Sequence, residues 1–212
     1  ITMSKLQDVE NAVVSGKSKL VAGLVQEALD EGCSAPDILN GMINAMGIVG
    51  ERFKKNEIFV PEMLVAARAM KKGVDVLKPH LASGSAGVCG KAIIGTVAGD
   101  LHDIGKNLVA MMIESAGFEV IDLGVDVPVE KFIETVKANP DVKIVGCSAL
   151  LTTTMPALKS TVEALNAEDF RSHIKVMVGG APITQEFANE IGADAYTPDA
   201  ASAAQKAKEL VA

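Results

Sequence analysis

The stretch Lys91-Ala92-Ile93-Ile94-Gly95-Thr96-Val97-Ala98-Gly99-Asp100-Leu101-His102-Asp103-Ile104-Gly105-Lys106-Asn107 changes character twice along its length. It opens as a short β-rich run that is apolar on both faces, as a strand must be when helices cover both sides of a parallel sheet. It then passes through a loop of small and charged residues, and from Gly105 it takes up helical spacing. Strand, loop and helix in that order make one unit of an α/β fold.

The same order recurs towards the C-terminus. Runs at 119–123, 144–148 and 175–178 read as strands, with a last short one at 194–196. Helical spacing occupies 105–116, 129–138, 154–165, 183–191 and a final segment ending near 210. Five β-α units over 91–212 predict a doubly wound, flavodoxin-like (Rossmann-like) five-stranded parallel sheet. Ligands of such sheets bind beyond the carboxyl ends of the strands, so the chemistry is expected there.

Upstream the pattern is purely helical. Leu6, Val9, Ala12 and Val13 recur at spacings of three and four, as one buried helix face requires. A second helix over 17–31 is expected to stop at Gly32, and Ser34 to cap a third that has Pro36 in its first turn and runs to about 54. A turn at Lys55-Asn56-Glu57 leads to Pro61 and a fourth helix ending near 77. The expectation is a four-helix bundle over 1–81, a linker of small residues over 82–90 with a hinge at 83–87, and the α/β domain after it.

Composition narrows the function. Aromatic residues make up only 3% of the chain and Trp is absent, so aliphatic side chains and Met must fill the core. The formal charge of −7, without any Lys/Arg tract, argues against nucleic acid as a partner. No apolar run reaches the ~20 residues that span a bilayer, so no membrane association is expected. Cys33, Cys89 and Cys147 are isolated and fit neither a disulfide framework nor a zinc site, which suits a cytoplasmic location. His80 and His173 lie in no ligand pattern and are expected to face solvent, and Cys147 to lie in the core.

Three strand ends carry candidate site residues. After the first strand, His102 sits in a loop where it can reach a metal, and Asp100 is placed to accept a hydrogen bond from the other ring nitrogen. Leu101, Asp103 and Ile104 complete that loop, and Gly105 lets a large ligand approach the backbone. The third strand ends in Ser148-Ala149-Leu150-Leu151-Thr152-Thr153-Thr154 and the fourth in Gly179-Gly180-Ala181-Pro182. Taken alone, Asp100 reads more readily as a helix cap and His102 as a surface residue. The meeting of three such loops on one sheet edge is what points to a ligand.

Asp-x-His-x-x-Gly on Asp100, His102 and Gly105, then Ser-x-Leu on Ser148 and Leu150, then Gly179-Gly180, resembles the signature of base-off/His-on cobalamin proteins. In the helical half, Val49-Gly50-Glu51-Arg52-Phe53 and Glu57-Ile58-Phe59-Val60-Pro61-Glu62-Met63-Leu64-Val65-Ala66-Ala67-Arg68-Ala69-Met70 resemble the cap of corrinoid methyl carriers. Those carriers include the cobalamin module of methionine synthase and the small corrinoid proteins of methanol, methylamine and methoxyaromatic methyltransferase systems. The resemblance implies that His102 is the lower ligand to the cobalt of cobalamin, with a His102–Asp100–Ser148 hydrogen-bond relay behind it. It implies further that Ser148, Leu150 and Thr152 line the slot for the cofactor's tail, and that Gly179, Gly180 and Ala181 leave room for the nucleotide. Tyr196, Thr197 and Asp199 would lie near its phosphate and ribose. Met63, Leu64, Ala67 and Met70 would face the corrin from the cap, although each also reads as a core residue of the bundle.

On this resemblance the protein carries a methyl group on cobalt from a donor to an acceptor such as tetrahydrofolate or a thiol cofactor, and is not catalytic alone. Its implied partners are a donor-specific methyltransferase, an acceptor methyltransferase and a corrinoid-reactivating reductase. Two other classes share the three motifs. An adenosylcobalamin-dependent mutase needs a barrel domain, and a cobalamin-based sensor an output domain; neither is read in this chain. A response-regulator receiver would need an early acidic pair and a late Lys, which are not found.

Overall fold

The computed structural model describes residues 2–81 and 89–212. The hinge expected at 83–87 lies outside them, as does all of the expected linker except Cys89 and Gly90. The chain divides into two compact units, 1–88 with 115–117, and 89–114 with 118–212.

Among the described residues, the first unit contains four α-helices, α1 (Thr2–Val14), α2 (Ser18–Asp30), α3 (Ala35–Lys54) and α4 (Val60–Leu77). Their apolar faces form as the spacing predicts: Val9 and Val13 on α1, Val21 and Val25 on α2, and Ile38, Met42 and Val49 on α3 are buried. α1 packs mainly on α3 and α2 on α4. Local chemistry sets the ends. Ser34 Oγ accepts the Asp37 N–H at 3.2 Å, and Gly32 takes a φ of +90° just past the end of α2.

The second unit alternates β1 (Gly90–Val97), α5 (Ile104–Ser115), β2 (Phe118–Val127), α6 (Val129–Ala138), β3 (Val142–Ser148), α7 (Met155–Asn166), β4 (Lys175–Gly179), α8 (Gln185–Ile191), β5 (Ala195–Tyr196) and α9 (Ala200–Val211). All strand pairs are parallel and the order is β2-β1-β3-β4-β5, the flavodoxin-like arrangement. The order reverses between β1 and β3, so a crevice is expected beyond their carboxyl ends. Ile93, Val97, Phe132, Val145, Leu158 and Val176 fill the core beneath. Cys147 belongs to it, and burial pushes its thiol up to about 12.

Most elements lie within two residues of their expected bounds, and the differences at β2, α7 and α8 have local reasons. β2 runs to Val127 because the pairing Ile94↔Asp122, Gly95↔Gly124, Val97↔Val127 accommodates extra residues on this edge strand, which breaks its polar alternation. α7 starts at Met155 because Thr152–Thr154 form a 3₁₀ turn. α8 starts at Gln185 because Thr184 is its cap, accepting the Phe187 N–H at 3.1 Å. Among the described residues, no helix is long and apolar enough to cross a membrane.

Candidate functional site

The loop after β1 folds back on itself. The Asp100 N–H donates to the Val97 carbonyl at 3.1 Å, and Gly99 adopts a φ of +80°. This turns the Asp100 side chain inward, to 0% exposure. One carboxylate oxygen, Oδ1, accepts the His102 N–H at 3.1 Å and His102 Nδ1 at 2.8 Å. The other, Oδ2, accepts the Leu150 N–H at 2.7 Å and the Thr154 hydroxyl at 2.7 Å. Burial alone would raise the Asp100 pKa, but the bonds from Leu150, Thr154 and His102 together outweigh it and hold the carboxyl well below the usual range. A carboxylate on Nδ1 fixes the proton of the neutral ring there and leaves Nε2 with its lone pair.

The imidazole is half-exposed, at 49% of its side chain. The loops after β1 and β3, joined through Asp100, carry apolar side chains that the fold leaves in solvent: Leu101 at 72%, Ile104 at 85%, Leu150 at 40% and Leu151 at 41%. Nothing lies within 4 Å of where a Cβ on Gly105 would sit. One open imidazole nitrogen within an apolar rim suits a flat apolar ligand that carries a metal. Among the described residues, no three His, Cys, Asp or Glu side chains are grouped to hold an ion. The donor this site offers is one imidazole nitrogen backed by a carboxylate, which fits a metal already held by its own macrocycle.

The hydrogen-bond relay expected through Ser148 is corrected by the geometry: Thr154, not Ser148, stands behind Asp100. Ser148 closes β3 opposite Thr96 in β1, and the two hydroxyls meet at 2.9 Å. The Thr96 hydroxyl donates to the His102 carbonyl at 2.9 Å, so Ser148 donates to Thr96. The 3₁₀ turn then returns Thr154, buried, to the Asp100 carboxylate. Type alone could not choose among the hydroxyls of Ser148, Thr152, Thr153 and Thr154.

The remaining expected residues are placed as follows. Gly179 and Gly180 meet the β3 loop: the Ala149 N–H donates to the Gly179 carbonyl at 3.2 Å. Gly180 has a φ of +130°, and a Cβ there would lie 1.8 Å from the Ala149 carbonyl oxygen, so the chain's own packing already requires glycine. Ala181 and Thr152 are exposed, and Tyr196 and Thr197 half-buried beside this edge. The Asp199 carboxylate caps α9, accepting the Ser202 N–H at 2.7 Å and the Ser202 hydroxyl at 2.9 Å. Asp103 is exposed, and its carbonyl accepts the Asn107 N–H at 2.7 Å. In the helical unit, Met63, Ala67 and Met70 are buried on α4 and Leu64 is half-buried.

Two features went unread in the sequence. Lys106 is buried, with Nζ 2.7 and 2.6 Å from the two Asp122 carboxylate oxygens and 2.6 Å from Asn107 Oδ1, which ties the start of α5 to β2. Asp126, at the end of β2, accepts the Gly99 N–H on Oδ1 at 2.7 Å and donates its own N–H to the Asp100 carbonyl at 2.9 Å. Neither residue type carries a signal for such a role.

A B12 binding domain family matches residues 90–206, the strands and loops just described, and a second B12 binding domain family matches 5–78. The chain belongs to the B12-binding proteins. It is a cobalamin-binding corrinoid protein of the kind found in methyltransferase systems. This B12-binding chain is 46% identical over 209 residues to the dimethylamine corrinoid protein of Methanosarcina barkeri, covering 98% of this chain and 97% of that one. It superposes with a TM-score of 0.82 on a cobalamin-binding protein from Desulfitobacterium hafniense DCB-2, at 33% identity and 98% coverage of both chains. It superposes with a TM-score of 0.84 on a chain of a methanol:cobalamin methyltransferase complex from Methanosarcina barkeri, at 27% identity, covering 98% of this chain and 80% of that one.

Proposed function

We propose that this protein carries a methyl group in a methylamine-dependent methyltransferase system, with His102 as its ligand to the cobalt of cobalamin. The observation that carries the reading is the buried, anionic Asp100 on His102 Nδ1, with the rest of the imidazole open amid exposed apolar side chains. When bound, the corrin supplies a cobalt centre that accepts a methyl group and yields it to an acceptor.

The chain's own residues do the positioning. Asp100 keeps the proton on Nδ1, orients the ring and raises its basicity towards the metal. The Leu150 N–H and the Thr154 hydroxyl hold Asp100 in turn. Leu101, Ile104, Leu150 and Leu151 offer apolar surface to the macrocycle and displace water from around the imidazole. Ser148, Leu150 and Thr152 would receive the tail, with Gly179, Gly180 and Ala181 beside it. Tyr196 and Thr197, in the turn that Asp199 closes by capping α9, would hold its phosphate and ribose.

The dimethylamine relative supports a methylamine as donor, and the methanol:cobalamin complex supports a methyltransferase as partner. In this scheme a donor-specific methyltransferase loads the carrier, an acceptor methyltransferase unloads it, and a reductase restores the corrinoid.

The test is reconstitution with hydroxocobalamin, reduction to Co(II), and electron paramagnetic resonance on protein with and without 15N-histidine. Splitting by one nitrogen should change from three lines to two on labelling, and His102→Ala should abolish the labelled contribution. A spectrum indifferent to the label, or failure to take up the corrinoid, would overturn the ligand assignment. Loading rates with methyltransferases for dimethylamine, monomethylamine and methanol should be fastest with dimethylamine; preference for methanol would overturn the donor.

A further inference from the structure

We infer that Asp126 is the positioning residue of the His102 loop, a clamp on the main chain at Gly99 and Asp100 that sets how the imidazole is presented. This rests on the reading of His102 as the cobalt ligand. Asp126 adopts a φ of +51°, and among the described residues the only other non-glycine at positive φ is Asn56, in the turn between α3 and α4. An aspartate in that conformation on a strand is uncommon and persists only where surrounding contacts impose it. Here the contacts are plain. Asp126 Oδ1 accepts the Gly99 N–H at 2.7 Å, while the Asp126 N–H donates to the Asp100 carbonyl at 2.9 Å.

The register explains how Asp126 reaches the loop. β2 advances from Asp122 to Val127 while β1 advances only from Ile94 to Val97, so the extra length of β2 is taken up beside the end of β1. Asp126 stands in that bulged segment, one residue before Val127 pairs with Val97. Asp100 is consequently held at both ends: its main chain by Asp126 and its carboxylate by Leu150 and Thr154. Asp126 is exposed and makes no hydrogen bond to His102, so it acts through Asp100. Releasing the Gly99 N–H would let the Ala98–Gly99 peptide rotate and loosen the turn that carries the Asp100 carboxylate to Nδ1.

Two variants separate the carboxylate from the backbone. Asp126→Gly keeps the N–H and relaxes the positive φ, but removes the acceptor for Gly99; Asp126→Asn keeps an acceptor oxygen on the same stem. In cobalamin-loaded, 15N-histidine-labelled protein reduced to Co(II), Asp126→Gly should lower the ratio of His-ligated to unligated cobalt about tenfold. Asp126→Asn should stay within about twofold of the wild type, since it retains the acceptor. A residue that merely stabilised the fold would shift the thermal midpoint and leave this ratio unchanged in the folded, loaded protein. Wild-type ligation in Asp126→Gly would overturn the inference while leaving the His102 assignment standing. Absence of the protein nitrogen in the wild type would instead remove the assignment and the inference together. A readout that needs no variant is amide exchange at Gly99 in the wild type, which should be slowed at least about tenfold relative to an open loop. Exchange at the unprotected rate would remove the clamp.

Discussion

Asp100 accepts hydrogen bonds from Leu150, Thr154 and both the main chain and the ring of His102, with no exposure to water. Asp100→Asn would set an NH2 group against one of these donors, leaving buried groups unmatched. Urea denaturation at neutral pH should show a loss of about 1–3 kcal/mol. The pH dependence has a definite sign. Because the folded carboxyl titrates lower than the unfolded one, its contribution is whole above the unfolded value of about 3.9 and drains away as pH falls below it towards the folded value. The stability gap between wild type and Asp100→Asn should therefore narrow on acidification below about pH 4; a constant gap would contradict the bonding scheme. Thr154→Val and Ser148→Ala separate the two hydroxyls. Only Thr154→Val removes a bond to Asp100, so in the Co(II) protein it alone should reduce ligation through the Asp100 relay. His102 and Asp100 were legible because their spacing and place after a strand encode the contact locally. Thr154 was not, because its contact spans 54 positions of chain and depends on a 3₁₀ turn.

At the scale of elements, the ends of α2 and α3 were legible at Gly32 and Ser34, since a cap is a matter of neighbours in sequence, whereas the starts of α7 and α8 were read early. Ser34→Ala should cost the helical unit about 1 kcal/mol, read as a lower denaturation midpoint. Gly179 and Gly180 were read as leaving room for a nucleotide; Gly180 is in addition required by packing between loops. Gly180→Ala would drive a Cβ into the Ala149 carbonyl and place a side chain at a φ of +130°. It should destabilise the α/β unit by about 3 kcal/mol or more, through the strain together with the clash. Normal stability of that variant would show that the two loops do not pack as described. β2 was read only as 119–123; Gly124, Val125, Asp126 and Val127 join it through pairing with β1.

For the whole molecule, the candidate site lies at strand ends of the α/β unit, so ligand binding should stabilise that unit by mass action. Hydroxocobalamin at a hundred times its Kd should add about 2.7 kcal/mol. Hydrogen-exchange mass spectrometry should find the new protection concentrated at 98–107, 148–154 and 179–184. Protection confined to other segments would place the ligand elsewhere. The class of each half, the order of its elements and the residues flanking His102 follow from short-range patterns, because periodicity, caps and strand-loop-helix succession are written within a few residues of each other. The partner of Asp100, the clamp from Asp126, the buried Lys106 and the steric need for Gly180 arise only when distant segments are brought side by side. Hydrogen bonds and van der Waals contacts act over a few ångströms in space, whatever the separation along the chain.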